Sequence, residues 1–122
     1  MIEICNTHKI CNECVTSPYY IGVGWDWCYE IMLNGQPIGN IFLSEGDDFI
    51  FIEWVELGAE FRGRGYIRQV IDCLIAEFNV PFIMADTSDE LLKMYEHLGF
   101  YPVERDDFRE MTTVKMSTHK EE

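Results

Sequence analysis

The chain has 122 residues, 48% of them hydrophobic and 14% aromatic, enough for one buried core and too few for two ordinary domains. No apolar run approaches the ~18 residues of a membrane span, and the Met1-Ile2-Glu3-Ile4-Cys5 start lacks the basic and apolar segments of an export signal, so a cytoplasmic protein without a membrane partner is expected. A net charge of -13 disfavours extended contact with nucleic-acid phosphates and serves either solubility or a basic partner.

Residues 2–5 have the composition to start a strand, and Ser17-Pro18 and Gly22-Val23-Gly24 read as loop punctuation, with no long amphipathic helix among them. Cys5, His8, Cys11 and Cys14 form a Cys-x2-His-x2-Cys-x2-Cys run, which is a possible zinc ligand set. Structural zinc sites usually join two separated pairs, so the expectation is buried or idle reduced thiols and no metal. Residues 27–33 and 38–43 are strand-like and flank Asn34-Gly35, a tight hairpin signal, with Pro37 at the start of the second strand or on an edge. Trp25 and Trp27 beside it are read as core or as a substrate platform, with core preferred.

A turn at Glu45-Gly46-Asp47-Asp48 leads to a third strand, residues 49–57, completing an antiparallel meander. Regular alternation puts Phe49, Phe51, Glu53, Val55 and Leu57 on one face and Ile50, Ile52, Trp54 and Glu56 on the other, the pattern of a strand covered on both sides. Ile67, Val70, Ile71, Leu74, Ile75 and Phe78 recur at helical spacing and predict a helix over 65–78, stopped by Asn79 and Pro81. A short strand over 81–85 follows, and Asp86-Thr87-Ser88 supplies N-cap chemistry for a second helix carrying Leu91, Leu92, Met94, Tyr95 and Leu98, which Gly99 stops. Strands over 100–103 and 108–116 close the domain around Glu104-Arg105-Asp106-Asp107. The expected fold is a single α+β domain over 1–116, with about six strands and one central βαβ crossover, and 117–122 form a polar tail.

Between Ile10 and Phe61 there is no Lys or Arg, and then Arg62, Arg64 and Arg68 arrive together. Arg62-Gly63-Arg64-Gly65, placed between a strand and a helix, sets free backbone N–H groups and a positive dipole end beside guanidinium groups. Glycines let a phosphate approach the amides. A dinucleotide fingerprint is excluded because Arg68 stands where its third glycine would be, and the P-loop's Gly-Lys-Ser/Thr is absent.

Phe61-Arg62-Gly63-Arg64-Gly65, followed about thirty residues later by Met94-Tyr95-Glu96-His97-Leu98-Gly99-Phe100, resembles the two signatures of the GNAT superfamily of N-acetyltransferases. The first resembles that family's coenzyme A pyrophosphate loop and the second its Tyr-Glu-x-x-Gly-Phe helix end. Ile67 stands where the family's pattern has a small residue, and Ser88 where an Asn is usual. The helices that normally precede the hairpin look reduced.

The resemblance implies a GNAT-like mixed sheet with two main helices and transfer of an acetyl group from acetyl-coenzyme A to a primary amine in a ternary complex. It maps cofactor contacts to the backbone of Val55, Glu56 and Leu57, to Arg62, Gly63, Arg64, Gly65, Tyr66 and Ile67, and to Ser88. It makes Tyr95 the acid that protonates the departing sulfur. A carboxylate must take the amine's proton, directly or through water; Glu53 and Glu56 are the candidates and Glu53 is preferred. His97 is read as a surface residue. The acidity points to a cationic acceptor, a protein lysine or another amine, and a homodimer is allowed. The rival from another class is an acidic interaction protein or inhibitor on the same fold.

Overall fold

A computed structural model of the chain describes residues 1–11 and 24–118. Cys14, Ser17-Pro18, Gly22-Val23 and most of the expected polar tail lie outside the described residues. Among the described residues there are seven strands, against the expectation of about six: β1 (Ile2–Cys5), β2 (Trp27–Leu33), β3 (Gln36–Glu45), β4 (Phe49–Leu57), β5 (Phe82–Ser88), β6 (Tyr101–Asp106) and β7 (Met111–Ser117). The helices are α1 (Tyr66–Glu77) and α2 (Asp89–His97), and a 3-10 turn occupies Ala59–Phe61. Hydrogen bonding orders the strands β1-β2-β3-β4-β5-β7-β6, a mixed sheet of the expected α+β class.

Contacts group the chain into two compact units, and β4 contributes to both. The first comprises Met1–Ser44 and Glu53–Asn79. Here β1 to β3 run antiparallel, with Ile4 opposite Ile31 and Tyr29 opposite Ile41. Asn34 and Gly35 both adopt positive φ (52° and 86°), as a type I′ hairpin turn requires, and Pro37 faces Met32 beside a bulge. Cys28, Ile31, Ile38, Ile41, Phe42 and Leu43 are fully buried, and Val70, Ile71 and Leu74 of α1 add the helical side of this core. Trp25 packs on Phe42 and Trp27 on Phe78, with centroids 5.3 and 5.7 Å apart, and both tryptophans are half-buried at the border of the core. The buried Asn40 holds the chain after β1: its Nδ2 donates to Lys9 O (2.7 Å) and Tyr29 O (3.2 Å), and its Oδ1 accepts from the Cys11 amide (2.8 Å).

The second unit comprises Glu45–Ile52 and Val80–Glu122. The parallel ladder runs from Phe49↔Phe82 to Ile52↔Ala85, so only the first four residues of β4 take part in it. The strand expected over 81–85 continues to Ser88, because β7 pairs with it as far as Ser88↔Met111 and tertiary pairing overrides the capping tendency of Asp86-Thr87-Ser88. Ser88 remains the N-cap residue of α2, without a side-chain cap bond. The closing hairpin turns later than expected. Asp106 accepts from the amides of Phe108 (3.1 Å) and Arg109 (3.2 Å), so Phe108 sits on the tip, 98% exposed, and not in a strand.

Candidate functional site

In the first unit, the second half of β4 carries Glu53, Val55, Glu56 and Leu57, and none of these side chains is exposed. Gly39 of β3 lies against their backbone: a Cβ there would stand 2.2 Å from Glu56 O and 2.9 Å from Leu57 Cα. Gly58 donates its amide to Ile38 O (2.8 Å), after which the chain makes the 3-10 turn and reaches Arg62. Arg62 folds back. Its Nε donates to Leu57 O (2.9 Å) and its terminal nitrogen lies 3.4 Å from Glu56 Oε2. Glu56 is buried, and its other oxygen accepts the Trp54 indole N–H at 3.1 Å.

Beyond Arg62 the backbone turns on two glycines at positive φ, Gly63 at 73° and Gly65 at 81°, and an added Cβ at either would meet nothing within 4 Å. This is open space, and Arg64 between the two glycines is exposed. Gly65 is the N-cap of α1, and no side chain caps the helix. The first turn of α1 holds Tyr66, Ile67 and Arg68 and no acidic residue. A cation in a helix's first turn opposes the macrodipole by a few tenths of a kcal/mol. In α2 the pattern is the reverse: Asp89 and Glu90 lie in the first turn and His97 in the last. A bound anion would offset both features of α1, the uncapped amides and the misplaced cation.

In the second unit, Tyr95 lies near the end of α2, 6% exposed. The helix ends in a Schellman arrangement: Phe100 N donates to Tyr95 O (3.0 Å), Gly99 N donates to Glu96 O (3.1 Å), and Gly99 has φ 107°. The hydrophobic contact that accompanies such caps is formed by the rings of Tyr95 and Phe100, edge to face at 5.2 Å. The Tyr-Glu-x-x-Gly-Phe segment thus has a physical reading of its own, as a helix stop that fixes the ring of its tyrosine. Burial pushes the Tyr95 phenol up to about 12, so it holds its proton at neutral pH. His97 is exposed, as expected.

Of the residues the sequence singled out, Glu56, Leu57 and Arg62 are brought into direct contact. Gly63 to Ile67 continue from them as loop and first helical turn, while Ser88 and Tyr95 belong to the second unit. Sequence reasoning missed Trp54 and Gly39 as parts of the site. A glycine inside a strand pattern is itself a signal of close backbone approach, and it marks Gly39. Among the described residues, no group of three or more His, Cys, Asp or Glu side chains is placed to hold a metal ion; the cysteine-histidine run extends to Cys14, outside them. Likewise, no described helix is long and apolar enough to cross a membrane.

No protein-family model matches the chain, and no curated protein matches it by sequence. Solved structures do match. A GNAT family acetyltransferase from Elizabethkingia anophelis with acetyl-CoA bound superimposes with a TM-score of 0.73 at 16% identity, over 96% of this chain and 97% of that one. A Bacillus subtilis acetyltransferase in complex with CoA gives 0.73 at 13% identity, over 96% and 99%. The ribosomal-protein-S18-alanine N-acetyltransferase from Escherichia coli gives 0.71 at 13% identity, over 100% and 97%. None of these is named as a binding protein or inhibitor, so the comparisons give the interaction-protein reading no support. At such identities the likeness is one of fold, and the fold is that of the GNAT acetyltransferases.

Proposed function

We propose that this GNAT-fold chain is a cytoplasmic N-acetyltransferase, a single catalytic domain over 1–116 that moves an acetyl group from acetyl-coenzyme A to a primary amine. The observation that carries the reading is the loop: two glycines at positive φ with open space beside them lead into an uncapped helix start next to Arg64. Pyrophosphate fits that chemistry, since it needs several N–H donors, a positive field and no Cβ in the way. Arg62, Gly63, Arg64, Gly65, Tyr66 and Ile67 form the cofactor loop in this reading.

Acetyl-coenzyme A supplies the thioester carbonyl and the leaving thiolate. The amine nitrogen attacks the carbonyl carbon, the carbon–sulfur bond breaks, and two proton movements accompany the exchange. The ladder with β5 takes in only residues 49–52 of β4, which supports the backbone of Val55, Glu56 and Leu57 as the donor set for the pantetheine and the carbonyl oxygen. One such donor is worth about 3 kcal/mol. Tyr95, protonated at neutral pH, gives its proton to the sulfur. Glu53 takes the amine's proton through water. The buried Glu56 is held by the Trp54 indole and the Arg62 guanidinium.

A net charge of -13 supports a cationic acceptor drawn in by steering, and a structural neighbour named for an alanine of ribosomal protein S18 supports a protein as that acceptor. Calorimetric titration with acetyl-coenzyme A, followed by a mass-spectrometric screen over lysine peptides, basic proteins and polyamines, tests the reading. Absence of binding at high micromolar cofactor would refute it.

A further inference from the structure

A guanidinium that reaches forward to a phosphate and one that folds back onto its own strand do different work, even two residues apart. The Arg62 fork is spent on Leu57 O and Glu56, and Glu56 is in turn fixed by the Trp54 indole. These bonds tie the end of β4 to the point where the glycine turn starts, closing the six-residue path from Glu56 to Arg62 around the 3-10 turn. Arg64 points the other way in role: it is exposed, and among the described residues it has no ion-pair partner.

We infer that Arg62 is a positioning residue, braced by Glu56, Trp54 and the Leu57 carbonyl, that shapes the cofactor loop before ligand arrives, while Arg64 supplies the charge that meets phosphate. The inference rests on the coenzyme A reading and divides labour within that loop. Its physical basis is preorganisation: a glycine-rich turn loses much conformational entropy on ordering, and a fixed anchor at its first residue removes part of that loss from the binding step. A planar fork can hold a carbonyl and a carboxylate together, whereas a lysine ammonium in its place keeps the charge and loses the geometry.

The test measures coenzyme A affinity by calorimetry at several salt concentrations for Arg62→Ala, Arg62→Lys and Arg64→Ala. Arg64→Ala is expected to weaken binding about tenfold at low salt and to flatten its salt dependence. Both Arg62 variants should weaken binding to a similar degree as each other while keeping the wild-type salt dependence. In parallel, a urea-unfolding cycle of Glu56→Gln with Arg62→Ala should be non-additive, and the emission of Trp54, read as the difference from Trp54→Phe, should shift in both single variants without ligand. Wild-type affinity in Arg62→Lys, together with a flattened salt dependence in Arg62→Ala, would make Arg62 a phosphate ligand and overturn the inference. Additive urea effects with unchanged Trp54 emission would overturn it as well. If the wild-type protein binds no coenzyme A, the cofactor reading falls, and the cycle and the emission still judge the brace by themselves.

Discussion

Gly39→Ala should push apart two strands at the point where the proposed donor set lies. The new methyl carbon would start 2.2 Å from Glu56 O and 2.9 Å from Leu57 Cα, both main-chain atoms that cannot rotate aside. Restoring an ordinary 3.4 Å contact requires a movement of about 1.2 Å between β3 and the end of β4. Overpacking of this kind costs about 1–3 kcal/mol, and the rigidity of both partners places this case at the upper end, a fall in melting temperature on the order of 10 °C. Activity should suffer beyond stability, since a misplacement of ~1 Å in a reacting group costs about a hundredfold in rate. Thermal unfolding and kcat/KM for acetyl transfer, measured well below the melting point, would show both effects. Gly24→Ala is the control: its Cβ meets nothing within 4 Å, and it should stay within about 0.5 kcal/mol of wild type. A Gly39→Ala protein that melts within about 2 °C of wild type and keeps its kcat/KM would refute the reasoning.

Tyr95→Phe should lower kcat by about 100-fold or more with cofactor affinity nearly unchanged, and undiminished turnover would remove it as the acid. The same substitution has a stability signature. Below pH 10 the phenol is protonated in both folded and unfolded chains; above it the unfolded chain gives up its proton first, so wild type should lose up to ~3 kcal/mol as pH rises through about 12 while Tyr95→Phe does not, and their urea curves should separate at alkaline pH. Burial also raises Tyr29, Cys28 and Cys73, which is why the difference between the two proteins, and not the wild-type slope, is the quantity to read. Gly99→Ala should cost on the order of 1–3 kcal/mol from its φ of 107° alone, since the nearest atom to the new Cβ is 3.8 Å away; a neutral effect by urea unfolding would show that the cap tolerates a side chain. Asn40→Ala strips the partners from Lys9 O, Tyr29 O and the Cys11 amide and should destabilise by about 3 kcal/mol, with hydrogen exchange of Cys11 accelerated.

The parts of the fold that local chemistry dictates were legible. Asn34-Gly35 specified its turn because both positions need positive φ, and the spacing from Ile67 to Leu74 specified α1 because those side chains share one face. Boundaries set by distant partners were not. β5 runs on to Ser88 because β7 offers it a ladder, and Phe108 leaves the strand because the Asp106 carboxylate captures the next amides. In the site, the glycine turn and Tyr95 could be read from two short motifs, since each is a local backbone device. The backward path of Arg62 could not be, because nothing in Arg-Gly-Arg-Gly distinguishes a guanidinium that seeks a ligand from one that seeks Leu57 O.

The cap at the end of α2 has a consequence for how this chain can vary. One six-residue segment both ends a helix and fixes the phenol that the proposed chemistry uses, through the Tyr95 to Phe100 ring contact and the Phe100 amide on the Tyr95 carbonyl. A mutation at Gly99 or Phe100 would therefore reach selection as two traits at once, persistence of the fold and rate of turnover.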